Sequence, residues 1–309
     1  MGTVFNAERT FGFEIEINTR ISASQLVAFI NTEFTTRGIN ASIFDAGYTH
    51  ETHRNWKVVP DGSVDGWEVV SPILKGLDAR KELEAVCAGL KNAGCRVSRQ
   101  TGVHVHHDVA DLTPKQIGMA FGTYAAFQTL IDMSVAPSRR GNRTYTNSVP
   151  QTVTDYGRDK WDDVTTRTEA IAKLDRTKGS SRYSAMNHCS FNPRTFQYHG
   201  TVEFRQMQGS MNATKIWSWM MVTQSIIERT VQGPAKFPKS LTIEMAEGKA
   251  HRKGDFNRFK AFIGVLPKRN GYNTVTTRPY CEAFRVFYKS IKRFSLQAGI
   301  APENVSRNR

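Results

Sequence analysis

Between Phe11 and Ile17 the chain alternates large apolar residues with acids. Phe11, Phe13, Ile15 and Ile17 fall at odd positions, and Glu14 and Glu16 at even ones. Side chains on a β-strand point to opposite faces in turn, so this run reads as a strand with one apolar and one acidic face. The rule recurs in Thr101-Gly-Val-His-Val-His-His-Asp, where His104 and His106 share a face and His107 points the other way. It recurs again in Thr201-Val-Glu-Phe-Arg, where Glu203 and Arg205 share a face. Three strands each present two ionisable groups on one side. That pattern suits a sheet whose open face holds metal ions and phosphates rather than a core.

The intervening sequence supplies helices. Leu26, Val27, Ile30 and Phe34 have helical spacing, as do Leu83, Val86, Cys87 and Leu90, with Gly94 as the stop. Trp56-Lys57-Val58-Val59 reads as a strand, Pro60-Asp61-Gly62-Ser63 as a turn, and Trp67–Ser71 as a strand stopped by Pro72. Thr113 and Pro114 form an N-cap and first helical position ahead of the stripe Ile117, Phe121, Tyr124, Phe127 and Ile131. Residues 136–180 are polar and read as irregular. Arg182–Phe191 and Thr201–Met207 read as an antiparallel pair, and Thr214–Val231 as a helix. Tyr280–Gln297 is an amphipathic helix with Phe284, Phe287, Tyr288, Ile291 and Phe294 opposite Arg285, Lys289, Lys292 and Arg293. Strands separated by helices predict an α+β class: an antiparallel sheet with helices on one face and the other face free for ligands. Gly233-Pro234 marks a boundary, giving a catalytic region 1–235 and a basic, mainly helical extension 236–309.

Charge supports that division. The net charge of +14 is uneven: residues 236–309 hold 16 Lys and Arg against 5 Asp and Glu, whereas the first 235 residues hold 26 against 23. The excess belongs to the extension and raises nucleic acid, or a substrate linked to it, as a partner. No apolar run reaches ~18 residues, so no membrane span is expected. The first residues lack the charged and apolar regions of a secretion signal, and the expected location is the cytoplasm. The four cysteines, Cys87, Cys95, Cys189 and Cys281, lack C-x-x-C spacing and read as reduced, packed thiols.

Taken singly, the candidate site residues are ordinary. A lone E-x-E is usually a solvated edge, and one strand histidine is usually a satisfied core or surface group. Glu14 and Glu16 on one face, however, repel unless a cation or a basic group lies between them. Hard divalent cations such as Mg²⁺ prefer such carboxylates. Glu68 adds an acid on a short strand, and Asp61 reads first as a turn residue, with ligand contact the lesser reading. Arg139, Arg140 and Arg143 in Ser138-Arg-Arg-Gly-Asn-Arg form a compact cluster suited to phosphate or carboxylate oxygens. Arg182 and Arg205 are strand-borne. No P-loop, dinucleotide G-x-G-x-x-G or G-x-S-x-G elbow occurs, so any nucleotide must use the sheet face.

Seven segments occur in an order that resembles the amidoligase family, within the glutamine synthetase and glutamate–cysteine ligase group. They are Phe11-Gly-Phe-Glu-Ile-Glu-Ile, Trp56-Lys-Val-Val-Pro-Asp-Gly-Ser, Glu68-Val-Val-Ser-Pro-Ile-Leu, Gly102-Val-His-Val-His, Ser138-Arg-Arg-Gly-Asn-Arg, Arg182-Tyr-Ser-Ala-Met-Asn and Thr201-Val-Glu-Phe-Arg-Gln. The resemblance covers about residues 8–230. It implies a half-barrel sheet, ATP, and Mg²⁺ or Mn²⁺. Glu14, Glu16, Glu68, His104 and Glu203 match metal ligands. His106, Lys57, Arg139, Arg140, Arg143 and Arg205 stand as nucleotide contacts, and Arg205, Arg182 and Glu203 as the catalytic set. The implied reaction joins a carboxylate to an amine through an acyl phosphate. Two other functions stay open on the residues alone: nucleic-acid binding on a silent ligase scaffold, and metal-dependent hydrolysis of amides or phosphates.

Overall fold

The structure, a computed structural model, describes residues 6–141, 146–149, 163–176, 188–231, 259 and 274–295. Two compact units are present. One comprises Ala7–His107 with Met207–Trp217; the other comprises Met1–Asn6, Asp108–Gln206 and Ser218–Arg309.

The first unit contains β1 (Phe11–Asn18), β2 (Ile43–Asp45), β3 (Trp56–Pro60), β4 (Gly66–Val70) and β5 (Gly102–Asp108), which neighbour one another in the order β2-β3-β4-β1-β5. Register follows the alternation. Ile15 lies opposite Val69 and Val103, Phe13 opposite Val105, and Val58 opposite Val69. These residues are buried, so the odd positions of β1 form the core face. Helices α1 (Ala23–Thr36) and α2 (Ala79–Asn92) pack on each other, and α1 also meets β2 and β3. The helices approach closely at Gly89, where a Cβ would stand 2.7 Å from Ile30 Cα. Trp56 Nε1 donates to Glu82 Oε2 at 2.8 Å and ties β3 to α2.

One pairing departs from the expected antiparallel sheet: β2 runs parallel to β3. Only three residues long, β2 depends on a side chain. Asn31 of α1 donates to the Ile43 carbonyl and accepts from the Ile43 N–H, both at 2.9 Å. The amide thereby serves as a further strand partner. The class is therefore mixed α+β.

In the second unit, β6 (Phe191–Asn192) pairs antiparallel with β7 (Thr201–Gln208), placing Asn192 opposite Glu203. Phe121 and Tyr124 of α3 (Pro114–Ser134) close a cluster with Phe191 and Phe204. Thr113 caps α3 through a reciprocal capping box with Gln116, with Pro114 in the first turn, as the sequence predicts. α3 is buried on almost every side rather than on one stripe. It packs on α4 (Arg167–Arg176), a helix within a stretch expected to be irregular. Ala170, Ile171 and Leu174 are the buried anchors of α4, too few to stand out among polar neighbours. A single turn, α5 (Phe196–His199), ends at Gly200 with φ 67°. α6 (Ala213–Val231) is the helix expected at 214–231, and α7 (Thr274–Ser295) packs on α3. The expected strand over 182–191 is described only at its end, because 182–187 lie outside the described residues.

Candidate active site

The face of the first unit's sheet opposite its core carries the even positions of β1. Glu14 lies opposite His104 on β5 and Val70 on β4, and Glu16 lies opposite Glu68. Cross-strand neighbours sit roughly 5 Å apart, so these polar groups must meet. His104 Nδ1 lies 2.9 Å from Glu14 Oε2, and His104 Nε2 lies 3.5 Å from Glu16 Oε1. His106 lies opposite Gly12, which carries no side chain, and its Nε2 reaches Glu14 Oε1 at 3.2 Å. Burial pushes the Glu14 carboxyl upward, but His106 and the hydrogen bonds to His104 and His106 outweigh it. The net position is well below the ordinary carboxylate range. Glu16 Oε2 accepts from the Gly102 N–H at 2.5 Å, which fixes the carboxylate plane.

Two groupings of potential metal ligands form on this face: Glu14, Glu68 and His104, and Glu16, Asp61 and Glu68. Within each, one ligand atom per residue lies within 4.8 Å of the others. Asp61 does keep its expected turn role, accepting from the Ser63 N–H at 2.7 Å. It also stands beside Glu16 and Glu68, the ligand position that the sequence offers only as its lesser reading. A turn aspartate one strand away from an E-x-E offers no periodic signal.

Lys57 is almost fully buried beside this cluster. Its ammonium donates to the carbonyls of Glu51 at 2.6 Å and Thr49 at 3.4 Å, fastening the loop before β3. Burial lowers its pKa, and the charges of Glu14, Glu68 and Glu51 oppose that shift. His107, on the core face, is held neutral: burial, and then the charge of Arg9, lower its pKa well below the usual value.

In the second unit Glu203 is buried and doubly engaged. It accepts from Asn192 Nδ2 at 2.8 Å and from Arg205 at 2.5 Å. Asn192 escaped sequence reading; its signal is its polarity directly after Phe191 on a pairing strand. Arg139 and Arg140 are buried and bond to backbone oxygens. Arg139 donates to the Arg205 carbonyl at 2.6 Å. Arg140 donates to the carbonyls of Val135 at 3.2 Å and Phe294 at 3.0 Å. These bonds fasten the end of α3 to β7 and α7. Arg143 and Arg182 lie outside the described residues.

The sequence model of a family described as "Putative amidoligase enzyme" matches residues 7–227. The chain belongs to the amidoligase family. The match takes in all seven segments read from the sequence and stops short of α7. A search of curated proteins finds no match. Among solved structures, one described as "Crystal structure of novel glutamine synthase homolog" is similar at 13% identity, with a TM-score of 0.43. The alignment covers 97% of this chain and 69% of that one.

Within this amidoligase the fold brings together Glu14, Glu16, Glu68, His104, His106 and Lys57 from four strands of one unit. Their chemistry fits a divalent cation. In the two ligand groupings the carboxylates of Glu14, Glu16, Asp61 and Glu68 and the imidazole of His104 supply mostly hard oxygen donors, the set that Mg²⁺ and Mn²⁺ favour. Both groupings share Glu68, so the residues suit a pair of ions as well as one. No helix among the described residues is long and apolar enough to cross a membrane.

Proposed function

We propose that this amidoligase is an ATP-dependent carboxylate–amine ligase that forms an amide through an acyl phosphate. The observation that carries the reading is the convergence of Glu14, Glu16, Glu68, His104 and His106 on one sheet face in a chain of this family. A carboxylate is a poor electrophile because its leaving group would be oxide. In the proposed reaction its oxygen attacks the γ-phosphorus of ATP and ADP departs. The neutral amine then attacks the acyl carbon, phosphate leaves with the C–O bond electrons, and the proton lost by the nitrogen passes to the departing phosphate.

Glu14, Glu68 and His104 would hold one divalent cation, and Glu16, Asp61 and Glu68 a second. When bound, such cations neutralise charge on the phosphoryl oxygens. The protein's own groups do the positioning. The Gly102 N–H orients Glu16, His104 and His106 orient Glu14, and Lys57 pins the loop beside them. Arg205, steadied by Glu203, is assigned to the transferred phosphoryl group, where a guanidinium can meet two oxygens at once. Glu203 as a metal ligand, Arg182 as a catalytic group, and His106, Arg139, Arg140 and Arg143 as nucleotide contacts belong to the same reading. So do the half-barrel form of the sheet and a cytoplasmic setting.

Hydroxylamine tests the central step. It intercepts an activated carboxylate as a hydroxamate, whatever the natural amine. Incubation with ATP, Mg²⁺, hydroxylamine and a panel of amino acids and peptides is expected to give ATP-dependent hydroxamate. Glu14→Ala and Glu203→Ala should lose it while keeping the native circular dichroism spectrum. Equal turnover in both variants would overturn the assignment. Cleavage of amides or phosphates without ATP would instead assign a metallohydrolase.

A further inference from the structure

Helix α7 plays no part in the proposed ligase chemistry. It carries Arg278, Arg285, Lys289, Lys292 and Arg293 against a single acid, Glu282. Its apolar side is already occupied. Ala283, Phe284, Phe287 and Ile291 are buried. Phe259 lies 6.3 Å from Phe284 and 5.9 Å from Phe287, and Trp219 lies 6.4 Å from Phe287, between ring centroids. Arg140 donates to the Phe294 carbonyl near the helix end. The helix is therefore docked, and its orientation is set by packing.

On the other side Arg285, Lys289 and Arg293 are exposed. Four-residue steps place them in one line, about 6 Å apart along the axis and about 12 Å in all. Like charges at such spacing destabilise a helix. The line costs the isolated chain stability, and an anionic partner would reverse that cost. Arg293 lies over the Phe294 ring at 5.4 Å, which holds one guanidinium in place.

We propose that this face of α7 binds the phosphate backbone of a nucleic acid. A backbone offers regularly spaced charge at any register, as three evenly spaced cations require. Anchorage in a bilayer fits less well, because interfacial helices insert an apolar face and that of α7 is buried. The wider sequence agrees in sign: 16 Lys and Arg against 5 Asp and Glu over residues 236–309. The proposal does not depend on the ligase reading, and each can fail without the other.

The test uses the full chain and fluorescence anisotropy with a labelled 20-nucleotide single strand and a labelled duplex, over a salt series. Binding to either probe is expected, with a log Kd against log salt slope of about 2 to 3, the value for three phosphate contacts. The R285E/K289E/R293E variant should bind at least tenfold more weakly and lose most of that slope. R285Q/K289Q/R293Q should fall between, and it replaces the reversal variant if the latter fails to fold by circular dichroism. Absence of binding to both probes at low salt would overturn the proposal. So would unchanged affinity in the folded variants. Equal or tighter binding to phosphatidylserine vesicles than to either oligonucleotide would assign the stripe to a membrane surface instead.

Discussion

At the scale of single residues, Glu68 has the most informative position. It lies opposite Glu16 and belongs to both candidate ligand groupings. Glu68→Gln preserves size and hydrogen bonding while removing the shared charge. Mn²⁺ titration of this variant is expected to show fewer bound ions than wild type, or affinity at least about tenfold lower, equivalent to about 1.4 kcal/mol. Unchanged stoichiometry and affinity would remove Glu68 from the site. A second residue-scale consequence lies away from the carboxylate face. Burial raises Asp132 from 3.8 to about 7, against the opposing effects of the Gln206 hydrogen bond and the Arg140 charge. Gln206 of β7 bridges Asp132 and Tyr124. A carboxyl whose folded-state pKa is raised contributes stability that is complete below its unfolded value. That contribution is lost as pH climbs through the folded value. Thermal stability should therefore fall between about pH 4 and 7, by no more than about 4 kcal/mol from this group, because part of the side chain meets solvent. Asp132→Asn should flatten that window; an unaltered pH profile would contradict the assignment.

At the scale of elements, the contact at Gly89 gives the sharpest prediction. A methyl group there meets the Ile30 backbone at 2.7 Å, and backbone cannot rotate aside. Gly89→Ala should separate α1 from α2 and cost about 1–3 kcal/mol, read as a lower denaturation midpoint. An equal or higher midpoint would mean that the helices adjust freely. Elements that carry a local physical signature are those legible in the sequence. β1, β5 and β7 declare themselves by alternation, β4 by the proline that follows it, and α3 by its Thr113 cap. The polar face follows directly, since Glu14, Glu16, His104 and His106 inherit their side from strand period. What escapes reading depends on partners distant in sequence. β2 needs the amide of Asn31, α4 needs the surface of α3, and Asn192 acquires its role only opposite Glu203. Arg139 and Arg140 likewise donate to carbonyls distant in sequence, those of Arg205 and Phe294, contacts that the compact cluster does not announce.

At the scale of the whole molecule, the carboxylate cluster and the basic helix are divided. The carboxylate and imidazole face belongs to the unit of Ala7–His107 with Met207–Trp217, whereas α7 belongs to the other unit. The family match ends at residue 227, before the basic quarter begins. A ligase that draws its nucleotide through metal on the sheet face must bind ATP in a Mg²⁺-dependent manner, whatever its acceptor. Calorimetric titration of a non-hydrolysable ATP analogue, with and without Mg²⁺, into wild type, Glu14→Gln and Glu203→Gln tests this most directly. Binding that requires Mg²⁺ and weakens at least about tenfold in both variants is the predicted result. Binding that ignores both Mg²⁺ and the substitutions, or no binding under any condition, would contradict it.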